Sequence, residues 1–159
     1  MEEPRQKKMA VIASKGTLDM AYPPFILATT AAALGWEVQI FFTFYGLQLL
    51  RKNLKHIKIS PLANPAMPMP VPMPVLVSSL PGMQSMATSM MKQKIKKHGV
   101  ASLEDLRTMC LEADVKMIAC QMTIDLFEFK KSEFIEGIDY GGAASFLEFA
   151  GEADVSLFI

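Results

Sequence analysis

"DVKMIACQMTIDLFE", residues 114–128, decides the fold. "VKMIACQ" (115–121) is an apolar run interrupted only by Lys116, the right length for a strand covered on both faces. "TIDLFEF" (123–129) then predicts a short helix. A buried strand running straight into a helix is the repeating unit of a parallel α/β sheet. Cys120 stands at the junction. It is either a small buried hydrophobe or a nucleophile held at the mouth of a site.

The same pattern recurs on either side. "KKMAVIAS" (7–14) is a short apolar run bounded by charges and by Gly16, a second buried strand. "GTLDMAYPPFILATTAAALG" (16–35) predicts a helix with Thr17 as N-cap and Gly35 as C-cap. Pro23 and Pro24 are expected to restart it, with the better helix from Pro24 to Leu34. "WEVQIFFTF" (36–44) reads as a strand and "YGLQLLRKN" (45–53) as a short helix. "KHIKIS" (55–60) alternates polar and apolar residues, which predicts a short third strand near an edge.

After it, prolines at 61, 65, 68, 70, 72, 74 and 81 exclude regular structure and favour an extended path. A loop of this length is usually functional or part of an interface. Helical spacing returns over 84–100. It is clearest over 102–114, where Ser102 caps, Glu104 and Asp105 sit at the positive end, and Leu103, Leu106, Cys110 and Leu111 share a face. "KSEFIEGIDYGG" (131–142) reads as a connection, 143–153 as a helix and 154–159 as a last strand. The order is βα repeated about five times, one domain over 1–159 with a mostly parallel sheet and helices on both faces. Ligands in such sheets bind beyond the carboxyl ends of the strands, at the switch in strand order. The loops expected there are Ser14–Asp19, Thr43–Tyr45 and Cys120–Thr123.

Composition narrows the function. Sixteen basic and sixteen acidic residues give a formal net charge of zero, without the basic face that nucleic-acid binding needs. Neutral charge with 51% hydrophobic residues favours self-association. Two cysteines are too few for a disulfide scaffold, and no signal peptide is visible, so a cytoplasmic protein with reduced thiols is expected. The charge-free stretch from Ile59 to Met91 is long enough to span a membrane, but its prolines leave a backbone that lipid cannot satisfy.

His56 and His98 have no ligand-like spacing to a cysteine, and "MPMPVPM" lacks the Cys or His that would accompany soft-metal thioethers, so no metal site is expected. "SKGTLD" is neither a dinucleotide-binding nor a Walker loop; it reads first as an ordinary turn with a solvated Lys15, and second as a place where Lys15 and the loop amides help to hold a small anion. Cys110 lies among Leu106 and Leu111 and reads as core-facing. A disulfide with Cys120, ten positions on, would need Cα atoms within ~7 Å, which is not expected without a shift or a partner subunit.

Three segments together carry a resemblance. They are "MAVIASKGTLDMAYPPFILATTAAALGWEVQIFFTFYGLQLL", the Pro/Met-rich middle, and "CLEADVKMIACQMTIDLF". The chain resembles the DsrE/DsrF/DsrH-like family of sulfur-relay proteins, and within it the branch with two cysteines ten positions apart. The resemblance implies a Rossmann-like three-layer sandwich of about five strands, homo- or hetero-oligomers, and no cofactor. It implies sulfur carried on a cysteine as persulfide or thiosulfonate, and exchanged with TusA-like carriers and rhodanese-type sulfurtransferases. The strand-end cysteine of the family matches Cys120 and the second cysteine of the branch matches Cys110. Substrate contacts are expected from Lys15, Gly16, Thr17, Thr43, Tyr45, Gln121, Met122 and Thr123. Two alternatives stand beside this. One is a non-catalytic module docking on a membrane or membrane complex through the Pro/Met segment. The other is a redox protein cycling a Cys110–Cys120 disulfide.

Overall fold

Three apolar runs form the centre of the sheet: β1 (Lys8–Ala13), β2 (Glu37–Phe42) and β3 (Lys116–Cys120). The structure, a computed structural model, describes residues 5–68 and 70–159. Two short edge strands, β4 (Asp139–Gly141) and β5 (Val155–Phe158), complete the order β4-β3-β2-β1-β5. Every pairing between these strands is parallel.

Continuous apolar character in the central strands is explained by cover on both sides. Val11, Ile40, Phe42, Met117 and Ala119 face α1 (Leu18–Ala33) and α4 (Leu103–Glu112). Ala10, Phe41, Ile118 and Cys120 face α6 (Ala143–Ala150) through Phe146 and Phe149. Between β2 and β3 the chain makes a 3-10 turn (Phe44–Leu50), a single helical turn α2 (Val75–Ser78) and α3 (Met83–Lys97). The six-residue helix α5 (Gln121–Leu126) begins immediately after Cys120, two positions earlier than its sequence pattern indicates.

Local chemistry accounts for the ends of the helices. Ser102 and Asp105 form a reciprocal capping box on α4: the Asp105 N–H donates to Ser102 Oγ at 3.1 Å and the Ser102 N–H to Asp105 Oδ2 at 3.2 Å. Gly35 takes the left-handed conformation (φ +78°) after α1, with Trp36 N–H donating to Ala31 O and Gly35 N–H to Ala32 O. The prolines do not restart α1. Pro23 and Pro24 lie inside one helix of 16 residues. The lost backbone bonds cost about 3 kcal/mol or more in an ordinary helix. Here Leu18, Ala21, Pro24, Phe25, Ala28 and Ala31 form a buried stripe against the sheet that offsets this.

Two elements differ from their sequence pattern. Residues 55–60 form no strand. Their alternating Ile57 and Ile59 are both 2% exposed, but their backbone is used elsewhere: Lys58 O accepts from Leu18 N–H, and Ile59 N–H donates to Thr88 Oγ1. Burial of every second residue therefore mimics a strand without a ladder. The fifth strand is instead β4, inside the 131–142 connection, paired with the end of β3 through Ile118–Asp139, Ala119–Tyr140 and Cys120–Gly141.

The 3-10 turn is fixed at both ends. Near its start, a Cβ on Gly46 would overlap the Ala13 carbonyl oxygen, and a Cβ on Gly16 would overlap the Tyr45 carbonyl oxygen. At its far end the buried Arg107 guanidinium donates to Leu49 O at 2.8 Å and Arg51 O at 2.7 Å. We expect Gly46→Ala to destabilise the fold by about 1–3 kcal/mol, because backbone rather than a flexible side chain must move. Urea unfolding midpoints of the two proteins measure this, and an unchanged midpoint would contradict it.

Candidate functional site

The carboxyl ends of β1, β2 and β3 bring the three predicted loops together, but not at the switch in strand order. That switch lies between β1 and β5, and there the Ile159 carbonyl receives both the N–H of Ser14 (2.8 Å) and its hydroxyl (3.0 Å). The polar cluster forms one or two strands across, over the ends of β2 and β3.

At its centre is Thr123, fully buried in the first turn of α5. Its hydroxyl accepts from Phe44 N–H at 3.1 Å and lies 3.2 Å from the Thr43 hydroxyl. With one lone pair taken by that amide, the Thr123 proton is available to a neighbouring acceptor. Cys120 stands beside it. Burial alone would push the Cys120 thiol up, but hydrogen bonding from the Thr123 hydroxyl and N–H, the Thr43 hydroxyl and the Met122 N–H outweighs it. The thiol is held below its ordinary value. With α5 only six residues long, the individual amides and hydroxyls carry this effect rather than a helix dipole.

Phe44 takes φ +45°, a conformation that is costly for a residue with a bulky side chain. That backbone is what turns its N–H toward Thr123. The ring of Phe44 packs edge-on to Phe127 and the ring of Tyr45 stacks on it, both with centroids 6.3 Å apart, tying the turn to the end of α5. Phe44, Tyr45, Met122 and Leu126 remain exposed around these donors in the chain, whereas Cys120 itself is 4% exposed.

The other predicted contacts divide. Thr43, Met122 and Thr123 join Cys120, and Gly16 and Tyr45 meet one another beside them. Lys15 is exposed on the loop after β1. Thr17 is the N-cap residue of α1 but makes no side-chain cap bond; its hydroxyl lies 3.3 Å from that of Ser60. Gln121 donates to Asp125 at 2.8 Å. The sequence reading missed Phe44, because neither a left-handed φ nor the direction of one amide leaves a mark in residue type.

Cys110 occupies a different setting. It is fully buried in the last turn of α4, its Sγ 4.0 Å from Phe25 O, and burial pushes its thiol up to about 12. Val115 N–H binds Cys110 O, so Cys110 lies by the start of β3 and Cys120 at its end, separated by about 16 Å of strand. The two sulfurs also lie on opposite faces of the sheet. Both cysteines are free, and a disulfide between them within one chain would require the core to come apart. Among the described residues no group of three or more His, Cys, Asp or Glu side chains converges as a metal site, and no helix is long and apolar enough to cross a membrane.

A parallel five-stranded sheet with a donor-surrounded cysteine at the end of its third strand defines a class, and comparison with known proteins gives that class its family. The chain belongs to the DsrE/DsrF/DrsH-like family, whose sequence profile matches residues 5–158. It is 65% identical over 158 residues to the "Sulfur carrier protein DsrE2" of Allochromatium vinosum, covering 97% of this chain and 99% of that one. It is 36% identical over 157 residues to Bacillus subtilis "Uncharacterized protein YrkE", covering 96% and 97% of the two chains. The crystal structure of the YchN protein from Escherichia coli shares the fold, with a TM-score of 0.59 at 11% identity, covering 98% of this chain and all of that one.

The donors around Cys120 predict selective alkylation. Iodoacetamide should label Cys120 and leave Cys110 unlabelled until the protein unfolds. Thr123→Val removes a donor to the thiolate, so its pKa rises and less thiolate is present at neutral pH. The labelling rate near neutrality should fall roughly threefold to tenfold, and the midpoint of its pH profile should move upward. Mass spectrometry of quenched samples across pH reads both effects; an unmoved midpoint would remove Thr123 from this role.

Proposed function

We propose that this protein is a cytoplasmic sulfur carrier in which Cys120 holds the cargo, as a persulfide or thiosulfonate, and passes it to a partner. The observation that carries the reading is the set of hydroxyl and amide donors which favours the Cys120 thiolate. Its 65% identity to a protein named as a sulfur carrier supports the same role. In the persulfide case the Cys120 thiolate attacks the terminal sulfur of a donor persulfide. A new S–S bond forms, the donor S–S bond breaks, and the donor leaves as thiolate. The exchange is redox-neutral, and its reverse on an acceptor thiolate delivers the sulfur.

Thr43, Met122 and Thr123 hold the charge of Cys120 in this scheme, and the exposed Phe44, Tyr45 and Met122 form the surface that a partner meets. Cys110, buried and with a raised pKa, serves the core rather than the transfer. TusA-like carriers and rhodanese-type sulfurtransferases are the proposed donors and acceptors, and a homo-oligomer the proposed assembly.

Loading with inorganic polysulfide tests this. Intact-mass measurement should show a reducible gain of whole sulfur atoms on the unaltered protein and on Cys110→Ser, and no gain on Cys120→Ser. Equal loading of Cys120→Ser would overturn the assignment.

A further inference from the structure

The zero net charge conceals a strong segregation. Eight of the sixteen basic residues and none of the sixteen acidic ones lie between residues 38 and 103, so that stretch carries a formal +8 and the remainder −8. Within it α3 and the proline-rich strap enclose a groove of about 560 Å³. Buried Ile59 and Leu62 line it together with the half-buried Met67, Met73, Met83 and Met91. Along α3 one stripe runs Met83, Met86, Met90, Lys94, Lys97, at spacings of three and four, so the apolar wall passes into a basic rim.

Part of this has a simpler cause. Lysines in the last turn of a helix complement its dipole, which explains the placement of Lys94, Lys96 and Lys97. It does not explain why Met86 and Met90 stand 52% and 62% exposed along an apolar groove.

We propose that the groove between α3 and the proline strap is a docking site for an acidic amphipathic helix of a partner protein. Flexible thioethers adapt to apolar side chains of varied shape, and the apolar face of a helix entering a groove is a common mode of recognition. Basic residues on the rim, in a stretch without a single carboxylate, select an acidic occupant. Addition of a strand is disfavoured, because alternate prolines at 68, 70, 72 and 74 remove the N–H groups that a ladder needs. A flat bilayer would meet the outward Val75 and Leu76 but would leave the groove floor empty. In a second copy α4 and α6 already use their apolar faces on their own sheet, and α5 has six residues, too few to run the length of α3.

The groove starts at the edge of the sheet that carries the Cys120 cluster. Leu18 N–H binds Lys58 O, and Ser60 binds the Asp19 carboxylate at the start of α1, so the strap leaves from the carboxyl ends of the strands. A partner anchored here is retained on that side of the molecule. Binding itself needs no sulfur chemistry, so this proposal and the sulfur-carrier reading fail separately.

The test uses the full chain and a designed fluorescent peptide of about 18 residues, roughly five helical turns, with Leu and Phe on one face and Glu on the other. Anisotropy should show binding near the micromolar range. Weakening should be at least about fivefold in Lys94→Glu/Lys97→Glu, at least about fivefold in Met86→Gln/Met90→Gln, and at least about tenfold for the same peptide with Lys in place of Glu. Circular dichroism checks that the variants are folded. Absence of binding, or equal binding of the acidic and basic peptides, overturns the proposal. So does sedimentation with phosphatidylglycerol vesicles that the lysine variants abolish while the peptide stays free, which would make the groove a lipid-docking surface. Loss of self-association in the same variants would instead assign the groove to a second copy.

Discussion

Where β1 ends, the Ala13 carbonyl oxygen occupies the space that any Cβ at residue 46 would need. Only a glycine lets the 3-10 turn after β2 press so closely on the neighbouring strand. That close approach fixes the path of the turn. Thr43 N–H reaches Ala13 O at 3.1 Å, the chain reverses at Phe44 with a left-handed φ, and the Phe44 amide points at Thr123. The Thr123 hydroxyl, with an acceptor site filled from that side, lies beside Cys120 and favours its thiolate. A packing constraint between two backbones is thereby passed through an amide and a hydroxyl to a thiol.

The two cysteines show how environment divides one chemistry. Burial acts on both thiols and opposes ionisation in each. At Cys110 nothing answers it, and the thiol rises to about 12. At Cys120 four nearby donors overcome it. Both residues expose almost no surface, but Cys110 lies deeper among apolar groups while Cys120 sits near the end of its strand. Shallower burial and hydrogen bonding together set the Cys120 thiol apart, as hydrogen bonds do for carboxylates held ionised inside proteins.

Much of this architecture was legible in the sequence. Strands buried on both faces leave continuous apolar runs, so β1, β2 and β3 could be located, and Ser102 with Asp105 announced α4. The loops that meet at the site followed from their positions at strand ends. The errors have definite causes. Ile57 and Ile59 alternate because both enter the core from an irregular segment, which residue pattern alone cannot tell from a strand. β4 has three residues and half-exposed or exposed side chains, too little for any periodicity. Pro23 and Pro24 looked like a break because the tertiary burial that offsets them lies far along the chain. The part of Phe44 was hidden altogether, since it acts through its backbone.

Arg107 carries the last consequence. Its guanidinium lies in the interior, has its pKa lowered by burial, and binds two carbonyls at the end of the turn that begins beside Cys120. A guanidinium keeps its proton throughout the range in which proteins function. A lysine or histidine in that place would titrate and loosen the turn as the medium became alkaline. With arginine, the scaffold beneath the thiol keeps one charge state while the thiol changes its own. The protein thus separates a titrating element from a fixed one along a single short stretch of backbone, and the response of Cys120 to acidity belongs to its immediate donors rather than to movement of the support.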